Sequence, residues 1–158
     1  MPRSPRDWSA AYKKFEAALA KDPQFSAAQN GMGWTLVHLG EHDKAIAQFR
    51  QLLKENPSHP GALNGVGQCL LAQGKLDEAE GEFLRGTQSV IDAFGEAEVV
   101  KKGATASWLG LVQTYLRSGD LDKADKWIER YLKYKPDDRM MLDLKSRAEQ
   151  MRSEADEE

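Results

Sequence analysis

The sequence contains a single cysteine in 158 residues, and this scarcity excludes an internal disulfide. The one free thiol, Cys69, fits a reducing compartment. Long apolar runs are also lacking: no stretch approaches the roughly 20 residues that a membrane-spanning helix needs, so we expect no membrane insertion. Positive charge is not in excess, because 22 Lys and Arg stand against 25 Asp and Glu for a net charge of −3. The basic stripe that nucleic acid requires is missing, and we expect no nucleic-acid partner.

The start of the chain, MPRSPRDW, lacks the apolar core of a signal peptide. This start predicts a cytoplasmic protein, although a leader removed upstream of an added Met would leave the same beginning. A chain of this length corresponds to one ordinary domain that can bury a hydrophobic core. We therefore predict a single domain over residues 1–158.

Alanine and a large apolar residue recur along the chain at a fixed distance. Phe15, Phe49 and Phe83 are evenly spaced, and an alanine stands four positions before each of them. The same pair returns as Ala124 and Ile128, after a longer interval. A glycine stands five positions before the later alanines, at Gly40, Gly74 and Gly119. A proline follows three of the large residues by eight positions, at Pro23, Pro57 and Pro136. Landmarks that keep this phase indicate a repeated structural unit.

The repeated unit resembles the tetratricopeptide repeat, a pair of antiparallel helices with a period of about 34 residues, which is the spacing of the phenylalanines here. The family's first-helix pattern, W-x2-LG-x2-Y, appears in degenerate form as Gln29-x2-Met32-Gly33-x2-Leu36, Leu63-x2-Val66-Gly67-x2-Leu70 and Trp108-x2-Leu111-Val112-x2-Tyr115. The resemblance covers nearly the whole chain. It implies an all-α fold, a right-handed superhelical solenoid of antiparallel helix pairs with about seven helices. It also implies a protein-binding scaffold that is not an enzyme and needs no cofactor.

Elementary packing physics predicts the same helices. Apolar residues in SAAQNGMGWTLVHL and KAIAQFRQLLKEN recur at steps of three and four, the helical period. Small residues such as Gly33 and Gly67 allow two helices to approach closely, while the phenylalanines fill the volume between neighbours. Gly40, Gly74 and Gly119 are expected to end the first helix of each pair, because glycine tolerates the left-handed conformation of a helix C-cap.

The Asn-Gly-x-Gly stretches at residues 30–33 and 64–67 are therefore predicted to lie in the middle of helices. Gly31, Gly65 and Gly110 share one phase, and each glycine costs about 1 kcal/mol of helix propensity. We expect close contact with the preceding repeat in return. A phosphate-binding loop is the alternative, but it needs a strand before it and Lys-Ser or Lys-Thr after it, and neither is present.

The domain divides into helical units that follow these landmarks. The predicted units are a half repeat with only the second helix (7–23), a repeat (26–57), a repeat with an extended last helix (60–94), a connector (95–104), a repeat (105–136), a C-terminal capping helix (138–153) and an acidic tail (154–158). A capping helix with a polar outer face fits the end of a repeat stack.

The resemblance implies that the first helix of each pair lines a concave groove, which binds an extended peptide or a partner helix. By phase, the groove residues are Ala27, Asn30, Trp34, Val37, His38, Asn64, Gln68, Leu71, Leu109, Gln113, Leu116 and Arg117. Trp34 is the best anchor, since a large aromatic can dominate a binding surface. Packing beneath the N-terminal helix is the other interpretation of Trp34. Asn30 and Asn64 can donate to and accept from a peptide backbone, or can simply be solvated.

One subset of the family clamps a C-terminal carboxylate with Lys and Arg along the groove. The corresponding positions here hold Asn30, Trp34, Gly65, Ala106 and Gly110, so the basic members are absent. We therefore predict no carboxylate clamp. The groove is expected to be mainly apolar and lined by amides.

The N-terminal end of the chain favours a second hypothesis. The half repeat carries apolar residues patterned to pack on a first helix that is missing, and Trp8, Tyr12 and Phe15 place aromatic surface there. The uncapped end of a repeat stack exposes apolar surface, which favours association with another protein surface. The chain is then either an assembly module that self-associates through this edge, giving a homo-oligomer, or a fragment of a longer repeat protein.

Residues for chemistry are scarce. His38, Glu41, His42 and Asp43 are close in sequence and could indicate a metal. Gly40 breaks the helix between the two histidines, so the geometry of a closed zinc site is lost and no metal is expected. No catalytic set of titratable residues is apparent, and we predict that the protein is not an enzyme.

Overall fold

The computed structural model describes residues 5–157, with side chains from residue 7 onward. These residues form nine α-helices and no strand. The helices are α1 (Pro5–Lys21), α2 (Ser26–His38), α3 (His42–Glu55), α4 (Pro60–Ala72), α5 (Leu76–Phe94), α6 (Glu96–Lys102), α7 (Ala106–Ser118), α8 (Leu121–Leu132) and α9 (Arg139–Asp156). The prediction of an all-α fold is confirmed over the described part of the chain.

The number of helices was predicted wrongly, as about seven. The half repeat, the three helix pairs and the terminal helix account for eight of the nine described helices, and the connector 95–104 forms the other one, α6. Acidic residues in its first turn and lysines in its last turn complement the helix dipole. Val99 and Val100 are only 1% exposed, so α6 buries its apolar side in the core.

Arg130 of α8 connects to the start of α6. Its guanidinium donates from Nε and Nη2 to the two carboxylate oxygens of Glu96, over 2.9 and 2.7 Å. Such a forked pair is stronger than a single neutral hydrogen bond, and the bonds to Glu96 raise the pKa of Arg130. The connector is therefore tied to the third helix pair by a contact between distant parts of the sequence.

The helices pack as pairs that stack on one another. The pairs are α2 with α3, α4 with α5 and α7 with α8, and each first helix also packs on the second helix of the unit before it. The first helices are neighbours as well, because α2 contacts α4 and α4 contacts α7. At the ends of the described stack, α1 packs on α2, and α9 packs on α8 and α7.

Each internal phenylalanine lies between two first helices. Phe49 is fully buried, and a Cβ added at Gly33 of its own pair or at Gly65 of the next pair would overlap its ring. Phe83 has the same relation to Gly67 and Gly110. The mid-helix glycines are required because the aromatic ring occupies the space of a Cβ. This confirms the expectation of close contact with the preceding repeat.

The turns inside the pairs follow the predicted glycine chemistry. Gly40, Gly74 and Gly119 have φ of 77°, 73° and 77°, the left-handed region that other residues rarely adopt. Each lies just after the end of a first helix. The prediction that these glycines terminate α2, α4 and α7 is confirmed.

The C-terminal helix extends beyond its predicted end. α9 continues to Asp156, so three residues of the predicted acidic tail 154–158 are helical. Gln150 Nε2 donates to Glu154 Oε1 over 2.9 Å, a one-turn contact that supports the added turn. Arg152 donates to Asp125 over 2.7 Å and fixes this end of α9 to α8.

The thiol of Cys69, a residue of α4, is buried in the hydrophobic core. Its side chain is fully buried, and burial, together with the charge of Asp43, raises its pKa from about 9 to about 11. We expect Cys69 to resist a thiol reagent at pH 8 in the native protein and to react at once in urea, because the nucleophile is the thiolate. Because the fold disfavours the thiolate, the stability should be unaffected by Cys69 below about pH 9 and should fall as the pH rises from there towards 11. Rapid labelling of the folded protein would contradict this burial.

Candidate functional site

The first helices α2, α4 and α7 form one continuous surface, which we call the inner wall. Gln68 Nε2 of α4 donates to Asn64 Oδ1 over 3.5 Å within the wall. Arg117 of α7 donates from Nη1 to the carbonyl oxygen of Leu71 in α4. A Cβ at Gly61 of α4 would lie 3.0 Å from Asn30 Oδ1 of α2. The approach of Asn30 to Gly61 links α2 to α4, and the Arg117–Leu71 bond links α7 to α4, so the wall crosses several repeats.

The predicted groove residues divide by burial. Those with exposed side chains are Ala27, His38 and Arg117, and those that are half-buried are Asn30, Trp34, Val37, Asn64, Gln68, Leu109 and Gln113. Leu71 and Leu116 are 7% and 2% exposed and belong to the hydrophobic core, so they do not line the wall. Both lie near the end of a first helix, where the turn towards the second helix directs apolar side chains inward.

A cavity of about 1030 Å³ opens between α1 and α2. Its lining residues are Asp7, Trp8, Ala10, Ala11, Lys14, Phe15, Asn30, Gly31, Trp34, Thr35 and His38. Residues predicted for two different sites, the groove and the N-terminal edge, therefore share one cavity. Tyr12 is not among them; it faces Met32, Leu36 and Lys44 on the other side of α1. We call this space the N-terminal cavity.

Aromatic contacts shape the N-terminal cavity. The Trp8 ring stacks on His38, with centroids 3.9 Å apart and planes 11° apart. Trp34 meets the buried Phe49 edge to face, with centroids 5.5 Å apart. Trp34 thus packs on Phe49 of α3 with one side, and not beneath the N-terminal helix, while its remaining surface lines the cavity. The Trp8–His38 stack joins two different helices, and no local motif reveals it.

Phe15 differs from its two repeat equivalents. Phe49 and Phe83 are fully buried, whereas Phe15 is only half-buried. A Cβ at Gly31 of α2 would overlap the Phe15 ring, so the contact with the following unit is present. The contact with a first helix of its own unit is missing from the described residues, and the uncovered side of the ring faces the N-terminal cavity.

The N-terminal cavity is mainly apolar, whereas the wall mixes apolar residues with amides, His38 and Arg117. Asp7 and Lys14 are the charged side chains that line the N-terminal cavity. Asn30 Oδ1 is buried without a hydrogen-bond partner among the described residues, so an acceptor is available beside the cavity. Ala11, Lys14 and Gly31 line the cavity but were not predicted as site residues. A shift by one repeat maps them onto Ala45, Gln48 and Gly65, so the repeat phase could have identified them.

A second, smaller cavity of about 260 Å³ lies where the wall passes from α4 to α7. Asn64, the end of α5 at Phe94 and the loop before α7 line it. Phe94 is 56% exposed, with Lys102 Nζ 5.5 Å from its ring centroid. The extended last helix of the second repeat thus places an exposed aromatic beside Asn64.

Among residues 5–157, no group of three His, Cys, Asp or Glu side chains could hold a metal ion. His38 stacks on Trp8, and Asp43 accepts a hydrogen bond from Gln73 over 2.7 Å. None of the described helices is both long and apolar enough to cross a membrane.

Stacked helix pairs with one continuous wall define a helical-repeat protein. Family models described as "Tetratricopeptide repeat" match residues 4–50, 30–96 and 105–138. The chain belongs to the tetratricopeptide-repeat family, and this fold implies a scaffold for protein–protein interaction. No curated protein sequence gives a significant match.

Solved structures show the same fold. A fragment of MamA from Desulfovibrio magneticus RS-1 is 17% identical, covers 96% of this chain and 85% of its own, and gives a TM-score of 0.68. A crystal structure of MamA protein is 18% identical, with 96% and 76% covered and a TM-score of 0.72. A tetratricopeptide-repeat protein from Parabacteroides merdae is 18% identical, with 92% and 53% covered and a TM-score of 0.73. At these identities the likeness concerns the fold alone.

Proposed function

We propose that the protein is a non-catalytic scaffold that binds an extended peptide or a partner helix along the inner wall. The continuity of the wall across α2, α4 and α7 carries this proposal. A surface that crosses several repeats contacts a linear ligand at regular intervals, which is how repeat proteins use their extended surfaces.

The chemistry of the wall defines the kind of ligand. Trp34, Val37 and Leu109 offer half-buried apolar surface, and Asn64 and Gln68 offer amides. Amides can pair with the N–H and C=O groups of a peptide backbone, and the apolar residues accept its side chains. Arg117 is a basic residue of the wall, but its guanidinium is already bonded to the carbonyl of Leu71. We therefore propose that the ligand has apolar side chains and that the wall does not recognise it through its C-terminal carboxylate.

Trp34 is proposed as the anchor of this interaction. Peptides selected from a random library against the protein would serve as probes, with affinities measured by fluorescence anisotropy. Trp34→Ala should weaken the selected peptides by about 1–2 kcal/mol or more, because large aromatics dominate binding energy. Gln68→Ala should also weaken binding of the selected peptides, because Gln68 lies on the same wall, one repeat after Trp34.

Tyr134 provides the matched control. It is 38% exposed and lies after α8, away from the wall, so Tyr134→Ala removes an aromatic without touching the proposed site. Thermal unfolding of each variant verifies that it is folded. Affinities that are unchanged in Trp34→Ala and Gln68→Ala, or that fall equally in Tyr134→Ala, would discard the wall as the binding site.

A further inference from the structure

The N-terminal cavity has a filled counterpart inside the same molecule. Shifted by one repeat, Ala11 and Phe15 of α1 correspond to Ala45 and Phe49 of α3, and Gly31 of α2 corresponds to Gly65 of α4. In the internal copy, α2 lies against α3 and α4 and leaves Ala45 and Phe49 fully buried. In the N-terminal copy, no described helix takes that place, and the cavity of about 1030 Å³ remains.

We propose that the N-terminal cavity is a docking site for an amphipathic helix of a partner protein that carries a glycine opposite Phe15. Such a helix would complete the first unit in the way that α2 completes the next one. Helix docking of this kind buries an apolar face in a groove. The site goes beyond the proposed function of the inner wall, because it selects a helix by its shape.

The glycine is required by the aromatic ring. In the internal units, a Cβ at Gly33 would overlap Phe49, and a Cβ at Gly67 would overlap Phe83. Phe15 has the same position in its own unit, so a side chain on the docking helix at this point would collide with its ring. The protein interior is packed too closely to absorb such an overlap without strain.

The internal copy also defines the length and the neighbours of the ligand. α2 and α4 each contain 13 residues, so a helix of that length fills the place. Ala11 corresponds to Ala45 and Ala79, both 0% exposed beneath a first helix, and its small side chain leaves room for a close approach. Trp8, stacked on His38, borders the cavity and adds aromatic surface to the contact.

A second copy of this chain does not offer such a helix. Within α2, α4 and α7, the described glycines that face a phenylalanine are already covered by Phe15, Phe49 or Phe83. Gly81 of α5 has no heavy atom near its Cβ position, but Asp77, Glu78 and Arg85 surround it with charge. A copy could fill the cavity only by giving up its own packing. We therefore assign the cavity to a helix of another protein rather than to a second copy of this chain.

A peptide that copies α2 tests the proposal on the full chain. The probe is residues 26–38, labelled with a fluorophore and held helical by a lactam bridge, because a free helix of this length is marginal in water. We expect saturable binding. The same peptide with leucine in place of Gly33 should bind at least about tenfold more weakly, since leucine would overlap Phe15.

Variants of the full chain locate the binding. Ala11→Trp fills the cavity and should weaken the α2 peptide by at least about tenfold. Ala17→Trp, on an exposed position of α1 outside the cavity, is the matched control and should leave the affinity unchanged. Gln68→Ala should also have no effect on this peptide, which separates the docking site from the inner wall. Circular dichroism shows whether each variant keeps its helices.

The possible results decide between occupants. Absence of binding, equal binding of the leucine peptide, or full affinity in Ala11→Trp would overturn the proposal. Self-association through Trp8, Tyr12 and Phe15, predicted from the sequence, is the competing occupant. Sedimentation of the wild type and Ala11→Trp tests it: an oligomer that Ala11→Trp dissociates would assign the cavity to a second copy and would also refute the partner-helix proposal.

Discussion

Replacing Phe49 with alanine should lower the free energy of unfolding by about 3–5 kcal/mol. The ring is fully buried and packs on glycines of two different helices, so its removal leaves a cavity that these two glycines, which have no side chain, cannot fill. The loss should also uncouple α2 from α4, because the ring bridges them. Urea denaturation followed by circular dichroism measures the effect.

Phe15→Ala is the matched comparison for this prediction. The substitution is chemically the same, but the Phe15 ring is half-buried and packs on one glycine, Gly31. We expect a loss of about 1–2 kcal/mol, because the open side of the ring has no packing to lose. A loss as large as that of Phe49→Ala would show that the N-terminal cavity is already closed in solution.

Trp108→Ala should have a comparable effect in the third pair, about 3–5 kcal/mol. Trp108 is 1% exposed, and its indole Nε1 donates to the carbonyl oxygen of Trp127 over 3.0 Å. Its ring also meets Trp127 and Tyr131 edge to face, with centroids 5.4 and 5.7 Å apart. The tryptophan therefore joins α7 to α8 through packing and through one hydrogen bond.

Trp108→Phe separates these two contributions. Phenylalanine keeps much of the buried area and loses the indole hydrogen bond, so the loss should be clearly smaller than for alanine. Near-ultraviolet circular dichroism would follow the tryptophan–tyrosine cluster, and denaturation would give the stability. Equal losses for the two variants would mean that the hydrogen bond, and not the packing, dominates this site.

The packing of the internal units could be predicted from the sequence because it is periodic. Phe49 and Phe83 recur with the glycines that accommodate them, and each glycine gives up helix propensity for the contact that its helix gains. The helix-ending glycines could be predicted for a local reason, since their φ is positive. The contacts of the internal phenylalanines and the helix ends at Gly40, Gly74 and Gly119 were therefore predicted correctly.

Features that depend on single long-range contacts could not be predicted. The short helix α6 depends on burial of Val99 and Val100 and on the Glu96–Arg130 pair, which no repeat pattern encodes. The phase of a first helix placed Leu71 and Leu116 on the groove, but phase does not record how the following turn directs a side chain. The Trp8–His38 stack likewise depends on the angle at which α1 meets α2.

The position of each phenylalanine between two first helices affects how the chain can change in length. Two neighbouring units share each interface, because the Phe49 ring packs on Gly33 of its own pair and on Gly65 of the next pair. Insertion of one whole module would give each internal ring, such as Phe49 or Phe83, its two glycines again. Insertion of a partial module would leave a ring facing a side chain. Duplication that keeps these contacts therefore proceeds in complete units, whereas a short insertion such as α6 is accommodated because it lies between a second helix and the next first helix and leaves Phe83 against Gly110.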